Sequence, residues 1–223
     1  PAETREWFSQ HPQVIHNEML QKIEDPELGL TTQVSPPLKF SISKSPKPQP
    51  ARYPGEDNSL FATCIPKDPI PLGKMNQHPL EGIKVVDLTG YIAGAYGTTL
   101  LADLGADVLK IESFAGDGFR QNGAAFQGWN QGKRGMILNL KDPKGLHIFH
   151  QLVREADVVT ENYRGGIAAN LGVDYKSLRK VNPKIIYSTV NGYGLTGPFS
   201  EYPAFDPLIQ AQGGAMKDQG GSG

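Results

Sequence analysis

The chain of 223 residues has little cysteine, no basic excess and no long apolar run. Its single cysteine, Cys64, excludes an internal disulfide and a cysteine-rich zinc site, so we expect no metal and a reducing, cytoplasmic setting. The 22 Lys and Arg residues are matched by 23 Asp and Glu, so no nucleic-acid partner is expected. No apolar run approaches the ~18 residues of a membrane span, so no membrane partner is expected either.

Proline and glycine are abundant but unevenly divided along the chain. Of the 18 prolines, 13 lie at or before Pro79, whereas 23 of the 26 glycines lie after residue 80. A uniform domain would not divide in this way, so we expect a boundary near residue 80. Before that boundary the sequence predicts a short helix at residues 5–10, a hairpin of residues 19–23 and 30–34, a short strand at 38–42 and an extended Pro-rich linker at 43–78.

Short apolar stretches alternate with helical ones after residue 80. This alternation predicts βαβ units, and therefore an α/β fold with a Rossmann-like, mainly parallel sheet and flanking helices. An extended Pro-rich tail and linker precede this sheet. The predicted strands are residues 83–88, 107–111, 136–140, 158–161 and 185–190, and the predicted helices are residues 93–104, 143–155 and 175–181.

Glycines and cations cluster in the loops beside the predicted strands. Ligands of parallel sheets bind at the carboxyl ends of the strands. The loop at residues 89–97 is rich in small residues and leads into a helix N-terminus, where N–H groups favour anions. Lys133, Arg134 and Lys141 flank the third strand, and Arg164 follows the fourth. The sequence therefore predicts a nucleotide or another phosphate-bearing ligand at this edge.

One interpretation of the first loop is an NAD(P)-dependent short-chain dehydrogenase. Thr89-Gly90-x-x-x-Gly94 follows a strand, and Glu112 stands where a ribose-binding acid would lie. That family requires glycine where this chain has Tyr96. It also requires a tyrosine with lysine four residues later, and none of the eight tyrosines has one. The dehydrogenase interpretation therefore has no catalyst.

A second interpretation covers far more of the chain. Residues 79–89, Ala93-Gly94 and residues 101–112 resemble the start of family III CoA-transferases, the group of carnitine CoA-transferase, formyl-CoA transferase and α-methylacyl-CoA racemase. The resemblance continues in order and without large gaps as far as Gly214. Its further motifs are Gly116-Asp117-x-x-Arg120, Lys133-Arg134, residues 137–141, 156–163 and 192–198, and Asp206-x-x-x-Gln210-Ala211-x-x-Gly214.

The resemblance implies an enzyme that moves CoA, its substrate and product, between an acyl-CoA donor and a small carboxylic acid. In this family an aspartate attacks the donor thioester, and an aspartyl anhydride and an enzyme–CoA thioester follow. That aspartate is expected past Gly223, so no catalytic residue is predicted here and the chain alone is expected to be inactive. The implied CoA contacts are Gly90, Tyr91, Ile92, Ala93, Arg134, Leu138, Lys141, Asn162 and Tyr163, although Arg134 equally suits a structural ion pair.

The resemblance also places Phe205 and Asp206 on the wall of the family's active site. The racemase branch requires histidine where this chain has Phe205, which favours transfer over racemisation. Asn170 stands where the family has a basic CoA contact. The family further implies a homodimer, or an intramolecular pseudo-dimer of two copies.

The segment before residue 80 resembles the opposite end of the same family. Pro12-Gln13-Val14, residues 23–29 and residues 36–41 are similar to the family's C-terminal tail. This order predicts a tandem double-copy enzyme. Residues 1–42 would be the tail of a preceding copy, 43–78 a linker, and 79–223 the truncated CoA-binding part of a second copy. A non-catalytic scaffold copy of such an enzyme stays open as an alternative.

Overall fold

The computed structural model describes residues 3–43, 45–63 and 77–220, and Cys64 lies outside them. The chain forms two compact units. The first comprises Pro1–Lys74 together with Asp206–Gly223, and the second comprises Met75–Phe205.

The first unit begins with two short helices, α1 (Arg5–Gln10) and α2 (Pro12–His16). The Thr4 hydroxyl caps α1 by accepting a hydrogen bond from the Trp7 amide at 3.2 Å. His11 separates the helices, and its Nδ1 accepts from the Gln13 amide at 3.1 Å. Pro12 then occupies the first position of α2, where its missing N–H costs nothing. The helix predicted at residues 5–10 is confirmed.

An antiparallel hairpin of β1 (Leu20–Asp25) and β2 (Gly29–Val34) follows. Its turn forms because Asp25 Oδ1 accepts hydrogen bonds from the amides of Glu27 and Leu28, each at 3.0 Å. The predicted hairpin is confirmed. The strand predicted at residues 38–42 is wrong, because those residues adopt no regular structure. They follow Pro36 and Pro37, which have no N–H group with which to start a ladder.

The second unit is built on a five-stranded parallel sheet in the order β5-β4-β3-β6-β7. This sheet confirms the predicted α/β class and the mainly parallel, Rossmann-like arrangement. The strands are β3 (Lys84–Asp87), β4 (Asp107–Glu112), β5 (Arg134–Ile137), β6 (Val158–Glu161) and β7 (Ile186–Thr189). Because all five run the same way, their carboxyl ends meet at one edge.

Two of the helices that connect these strands begin with a side-chain cap. Asp142 Oδ1 accepts from the Lys144 amide at 2.8 Å, and Asp174 Oδ2 accepts from the Lys176 amide at 3.1 Å. The sequence predicted α3, α5 and α7 but missed α4 and α6, which have only five and four residues. The helices are α3 (Ala93–Asp103), α4 (Ala124–Gly128), α5 (Pro143–Glu155), α6 (Ile167–Asn170) and α7 (Tyr175–Val181), and the first unit ends with α8 (Asp206–Gln212) and α9 (Ala215–Gly220).

The main core lies between the sheet and α5 and α7. Phe149 and Val153 of α5 and Leu178 of α7 are fully buried against Val86 and Val159 of the sheet. Burial of side chains of this size stabilises the fold by roughly 1.5–3 kcal/mol each. This core fixes the central strands and therefore the edge at which they end.

Strand β5, Arg134–Ile137, begins two residues and ends three residues before the predicted range of 136–140. Leu138 still donates to the Glu112 carbonyl at 2.9 Å, but Asn139 then begins a turn. Its carbonyl accepts from the Asp142 amide at 3.0 Å, and its Oδ1 accepts from the Lys141 amide at 3.1 Å. Across residues 3–43, 45–63 and 77–220, no helix has the length and apolar character that crossing a membrane requires.

Candidate functional site

The loop between β3 and α3, residues 88–92, lies at the carboxyl edge of the sheet. Asp87, the last residue of β3, is wholly buried. Its Oδ1 accepts from the amide of Thr89 at 2.8 Å and from the Thr89 hydroxyl at 2.6 Å. Lys110 of β4 donates from Nζ to the Thr89 carbonyl at 2.6 Å. Side chains of two strands therefore fix both backbone polar groups of Thr89.

The next peptide of the loop is fixed from β6. Asn162 follows that strand, and its Oδ1 accepts from the Gly90 amide at 2.9 Å. Its Nδ2 donates to the Gly90 carbonyl at 2.8 Å. Both polar ends of this side-chain amide are therefore used by the loop.

The third peptide is held by Asp117, in the segment after β4. Asp117 Oδ1 accepts from the Tyr91 amide at 3.2 Å and from the Phe119 amide at 2.9 Å. The amides of Thr89, Gly90 and Tyr91 thus bind this chain's own side chains, so they are not the anion donors expected from the sequence. In the described structure no side chain accepts from the amides of Ile92 and Ala93, which open α3.

Three neighbouring strands end in a buried acidic residue: Asp87 on β3, Glu112 on β4 and Glu161 on β6. Sequence reasoning did not single out this recurrence, although each acid is visible as the last residue before a loop. The Lys133 ammonium, buried as well, lies 3.1 Å from Asp87 Oδ2. Burial lowers the pKa of Lys133, and Asp87 opposes that shift. The sequence grouped Lys133 with the cations expected to bind a ligand at this edge. In the structure its ammonium is instead buried and paired with Asp87.

The Glu112 carboxylate binds Arg120 through two hydrogen bonds, to Nε at 2.6 Å and to an Nη at 2.5 Å. This forked contact lowers the pKa of Glu112, against the opposing effect of burial. Burial likewise opposes ionisation of Asp117, but the Phe119 amide, Lys110 and the Tyr91 amide outweigh it and hold the pKa of Asp117 below its ordinary value. The cations Lys110 and Arg120 are therefore committed to acids of the edge.

An aromatic group stands over this network. The Tyr91 ring centroid lies 6.4 Å from that of Phe119 and 6.4 Å from that of Phe205, the latter in an edge-to-face arrangement. Aromatic pairs of this geometry are worth about 0.5–1.5 kcal/mol beyond their buried area. Tyr91 and Phe205 are both more than half exposed, at 53% and 59%. The loop therefore presents apolar rings outward while its peptides are bound beneath.

The sequence that forms this sheet and its loops matches a known family. Residues 80–223 match CoA-transferase family III. The chain belongs to this family.

Relatives in this family resemble a little under two thirds of this chain. Acetyl-CoA:oxalate CoA-transferase of Acetobacter aceti is 43% identical over 150 residues, covering 64% of this chain and 39% of the relative. Succinyl-CoA:glutarate CoA-transferase of Homo sapiens is 40% identical over 150 residues, covering 63% and 34%. The chain thus spans about two fifths or less of the relatives it matches.

Solved structures show the same fold. The crystal structure of a CAIB/BAIF family protein from Brucella suis has 39% sequence identity and a TM-score of 0.60, covering 63% of this chain and 40% of that one. Rv3272 from M. tuberculosis has 35% identity and a TM-score of 0.60, covering 62% and 39%. Membership of this family replaces the dehydrogenase interpretation.

Several residues that the family implies as CoA contacts lie at the same edge. Tyr91, Ile92 and Ala93 are exposed, and Gly90 lies beneath them in contact with Asn162. Leu138 packs partly against the core, and Lys141 is exposed just after β5. Tyr163 also packs on the core, and burial together with Glu161 raises its pKa to about 12.

Arg134 does not join this group. It begins β5, at the opposite edge of the sheet. Its guanidinium forks onto Asp107, with Nε 2.8 Å from Oδ1 and an Nη 2.7 Å from Oδ2. This contact is the structural ion pair that the sequence left open as the alternative. Of the two wall residues, Phe205 contacts Tyr91, whereas Asp206 opens α8 and accepts from the Gln210 amide nitrogen at 2.5 Å.

Proposed function

We propose that the second unit binds the CoA portion of acyl-CoA within an enzyme that transfers CoA to a carboxylic acid. The observation that carries the proposal is the loop at residues 89–91, whose peptides are fixed by side chains of β3, β4, the segment after β4 and the residue after β6. A loop held so firmly is preorganised, which reduces the cost of binding a ligand. Family membership supplies the identity of that ligand.

The proposed CoA contacts divide into three kinds. Exposed residues of the loop, Tyr91, Ile92 and Ala93, would meet the ligand directly. Asn162 would act through Gly90, because its amide is already used there. Lys141 is exposed just after β5 and would bind phosphate as a point charge, with Leu138 and Tyr163 as apolar neighbours.

The proposed reaction follows the order that the family implies. A carboxylate attacks the thioester carbonyl, the C–S bond breaks, and an anhydride and CoA thiolate form. The thiolate then attacks the enzyme's side of the anhydride, which releases the donor acid and leaves an enzyme–CoA thioester. The acceptor carboxylate attacks the carbonyl of the enzyme–CoA thioester, the C–S bond breaks, and a second mixed anhydride and CoA thiolate form. The thiolate then attacks the acceptor's side of that anhydride, which gives the new acyl-CoA and releases the enzyme carboxylate. We assign the attacking carboxylate to none of residues 1–223 and expect no turnover from them alone.

The relatives suggest the substrate class. Their names include oxalate, glutarate and succinyl-CoA, so small carboxylic acids are the proposed acceptors. A homodimer or a pseudo-dimer of two copies remains part of the proposal. So does the assignment of residues 1–42 to the tail of a preceding copy and of 43–78 to a linker, which is supported by the resemblance of residues 12–14, 23–29 and 36–41 to the family's C-terminal tail.

Ligand binding tests the proposed function. CoA should raise the melting temperature of the chain, and isothermal titration should show saturable binding. NADH at the same concentrations should do neither. Stabilisation by NADH without any effect of CoA would overturn the proposal.

A further inference from the structure

Tyr91 has an unusual backbone conformation. Its φ of 60° lies in the left-handed region, which disfavours a bulky side chain because Cβ crowds the following carbonyl. Such a conformation persists only where the surrounding structure enforces it, and it tends to occur at functional sites. The restraint on Tyr91 is found at its backbone amide.

A buried ion pair supplies the restraint. Asp117 Oδ1 accepts from the Tyr91 amide at 3.2 Å, and Asp117 Oδ2 lies 3.0 Å from Lys110 Nζ. Lys110 in turn donates to the Thr89 carbonyl at 2.6 Å. The two side chains are only 3% and 1% exposed. The pair thus binds the chain on both sides of Gly90 and limits rotation at Tyr91.

The neighbouring sequence fits the ring that this conformation presents. A Cβ built on Gly118 would lie 2.8 Å from the Tyr91 hydroxyl oxygen, so the phenol lies directly against this glycine. Phe119 and Phe205 flank the ring. A return of Tyr91 to negative φ would move its Cβ and carry the ring off Gly118. The half-exposed aromatic surface at this edge therefore depends on the backbone of Tyr91.

We propose that Asp117, supported by Lys110, is a positioning residue that holds Tyr91 in the left-handed conformation and so presents its ring to bound CoA. The inference rests on the proposed function, because it needs CoA at this loop. It adds a role for two side chains that are almost wholly buried.

A double-mutant cycle tests the positioning role. Asp117→Asn preserves volume but leaves one acceptor where the carboxylate has two, so it cannot serve both Lys110 and the amides. We expect Asp117→Asn and Tyr91→Gly each to weaken CoA binding about tenfold, and the double variant to bind within about twofold of Tyr91→Gly alone. Once the ring is gone, there is nothing left to position. Independent losses that multiply to about a hundredfold would overturn the proposal.

Thermal unfolding gives a second readout that needs no ligand. Glycine adopts positive φ freely and alanine does not, so Tyr91→Gly should melt above Tyr91→Ala. Asp117→Asn should shrink that difference, because the restraint is gone. Asp174→Asn is the matched control, since its carboxylate instead accepts from Lys176 and Ser177, and it should leave the difference unchanged. An equal difference in all three backgrounds would contradict the proposal.

The outcomes separate this inference from the proposed function. A wild-type chain that binds no CoA contradicts both, although the melting difference still reports on the restraint. A wild-type chain that binds CoA, with multiplying losses in the cycle, contradicts only the positioning role. Should Asp117→Asn fail to fold, the joint change of Asp117→Leu and Lys110→Met removes both charges together with the acceptor for the Tyr91 amide, and takes its place in both measurements.

Discussion

The side-chain amide of Asn162 binds both backbone polar groups of Gly90, at 2.9 Å to the nitrogen and 2.8 Å to the oxygen. This reciprocal pair joins β6 to the loop that follows β3. The Asn162 side chain makes the two hydrogen bonds that a neighbouring strand would otherwise make. The loop is therefore attached to the sheet although it lies beyond the last backbone hydrogen bond between the two strands.

Asn162→Asp should weaken both stability and CoA binding. The carboxylate can still accept from the Gly90 amide, but its second oxygen faces the Gly90 carbonyl without a proton between them. An unsatisfied buried group costs about 1–3 kcal/mol, which urea unfolding can measure alongside CoA titration. Asn182→Asp is the control, because Asn182 donates to the carbonyls of Val153 and Ala156 instead. It should lower stability and leave CoA affinity unchanged; a loss of affinity in both variants would contradict the specific role of Asn162.

Gly94→Ala should destabilise the second unit by about 1–3 kcal/mol. A Cβ at Gly94 would lie 2.6 Å from Thr89 Cβ and 3.3 Å from Asn162 Cβ, so the start of α3 could not approach the loop. The control lies in the same helix: a Cβ at Gly97 meets nothing within 4 Å. Gly97→Ala should raise the melting temperature, since alanine favours helix by about 1 kcal/mol over glycine. Equal effects of the two substitutions would contradict the close approach.

Acid should remove the contribution of the Glu112–Arg120 pair. The pKa of Glu112 is lower in the folded chain than its ordinary value of 4.5, so the stabilisation is complete above that value and is lost as the pH falls through the folded pKa. Urea unfolding between pH 7 and pH 3 should show wild type and Glu112→Gln converging toward the acid end. Glu155→Gln changes only an exposed contact with Lys84 at 3.8 Å and should track wild type throughout. A gap between wild type and Glu112→Gln that stays constant with pH would contradict the linkage.

Lys141→Gln should weaken CoA binding about tenfold, since a hydrogen bond to a charged group is worth about 1.5 kcal/mol. The loss should shrink at high salt. Arg134→Gln provides the comparison, because Arg134 is paired with Asp107 at the other edge of the sheet. It should leave CoA affinity unchanged. If Arg134→Gln were the more damaging of the two, the assignment of the cations would have to be reversed.

The sheet was predictable because its signal is local. Apolar runs such as Val85-Val86 and the caps Asp142 and Asp174 lie within a few residues of the elements they define. The family motifs likewise pointed to the loop between β3 and α3, whose backbone the structure shows held by four side chains; its role in CoA binding stays a prediction. The strand predicted at 38–42 failed because a strand needs a partner, which an alternating apolar pattern does not supply.

The partner of each charged side chain could not be predicted, because it depends on which strands lie side by side in the sheet. Arg134 and Lys133 are neighbours in sequence, yet one pairs with Asp107 at the amino edge and the other with Asp87 at the carboxyl edge. The positive φ of Tyr91 was also invisible, because its cause lies in Asp117, 26 residues further on.

The contacts of the loop at residues 89–91 span large distances along the chain. The bond from Lys110 reaches back 21 residues, and the pair between Gly90 and Asn162 closes a stretch of 72 residues. During synthesis, therefore, the first strand and its loop emerge long before the side chain that fixes them. The loop can reach its final shape only after β6 has docked beside β3. Affinity for CoA should therefore appear late in folding and in a single step, once the central strands of the sheet have paired.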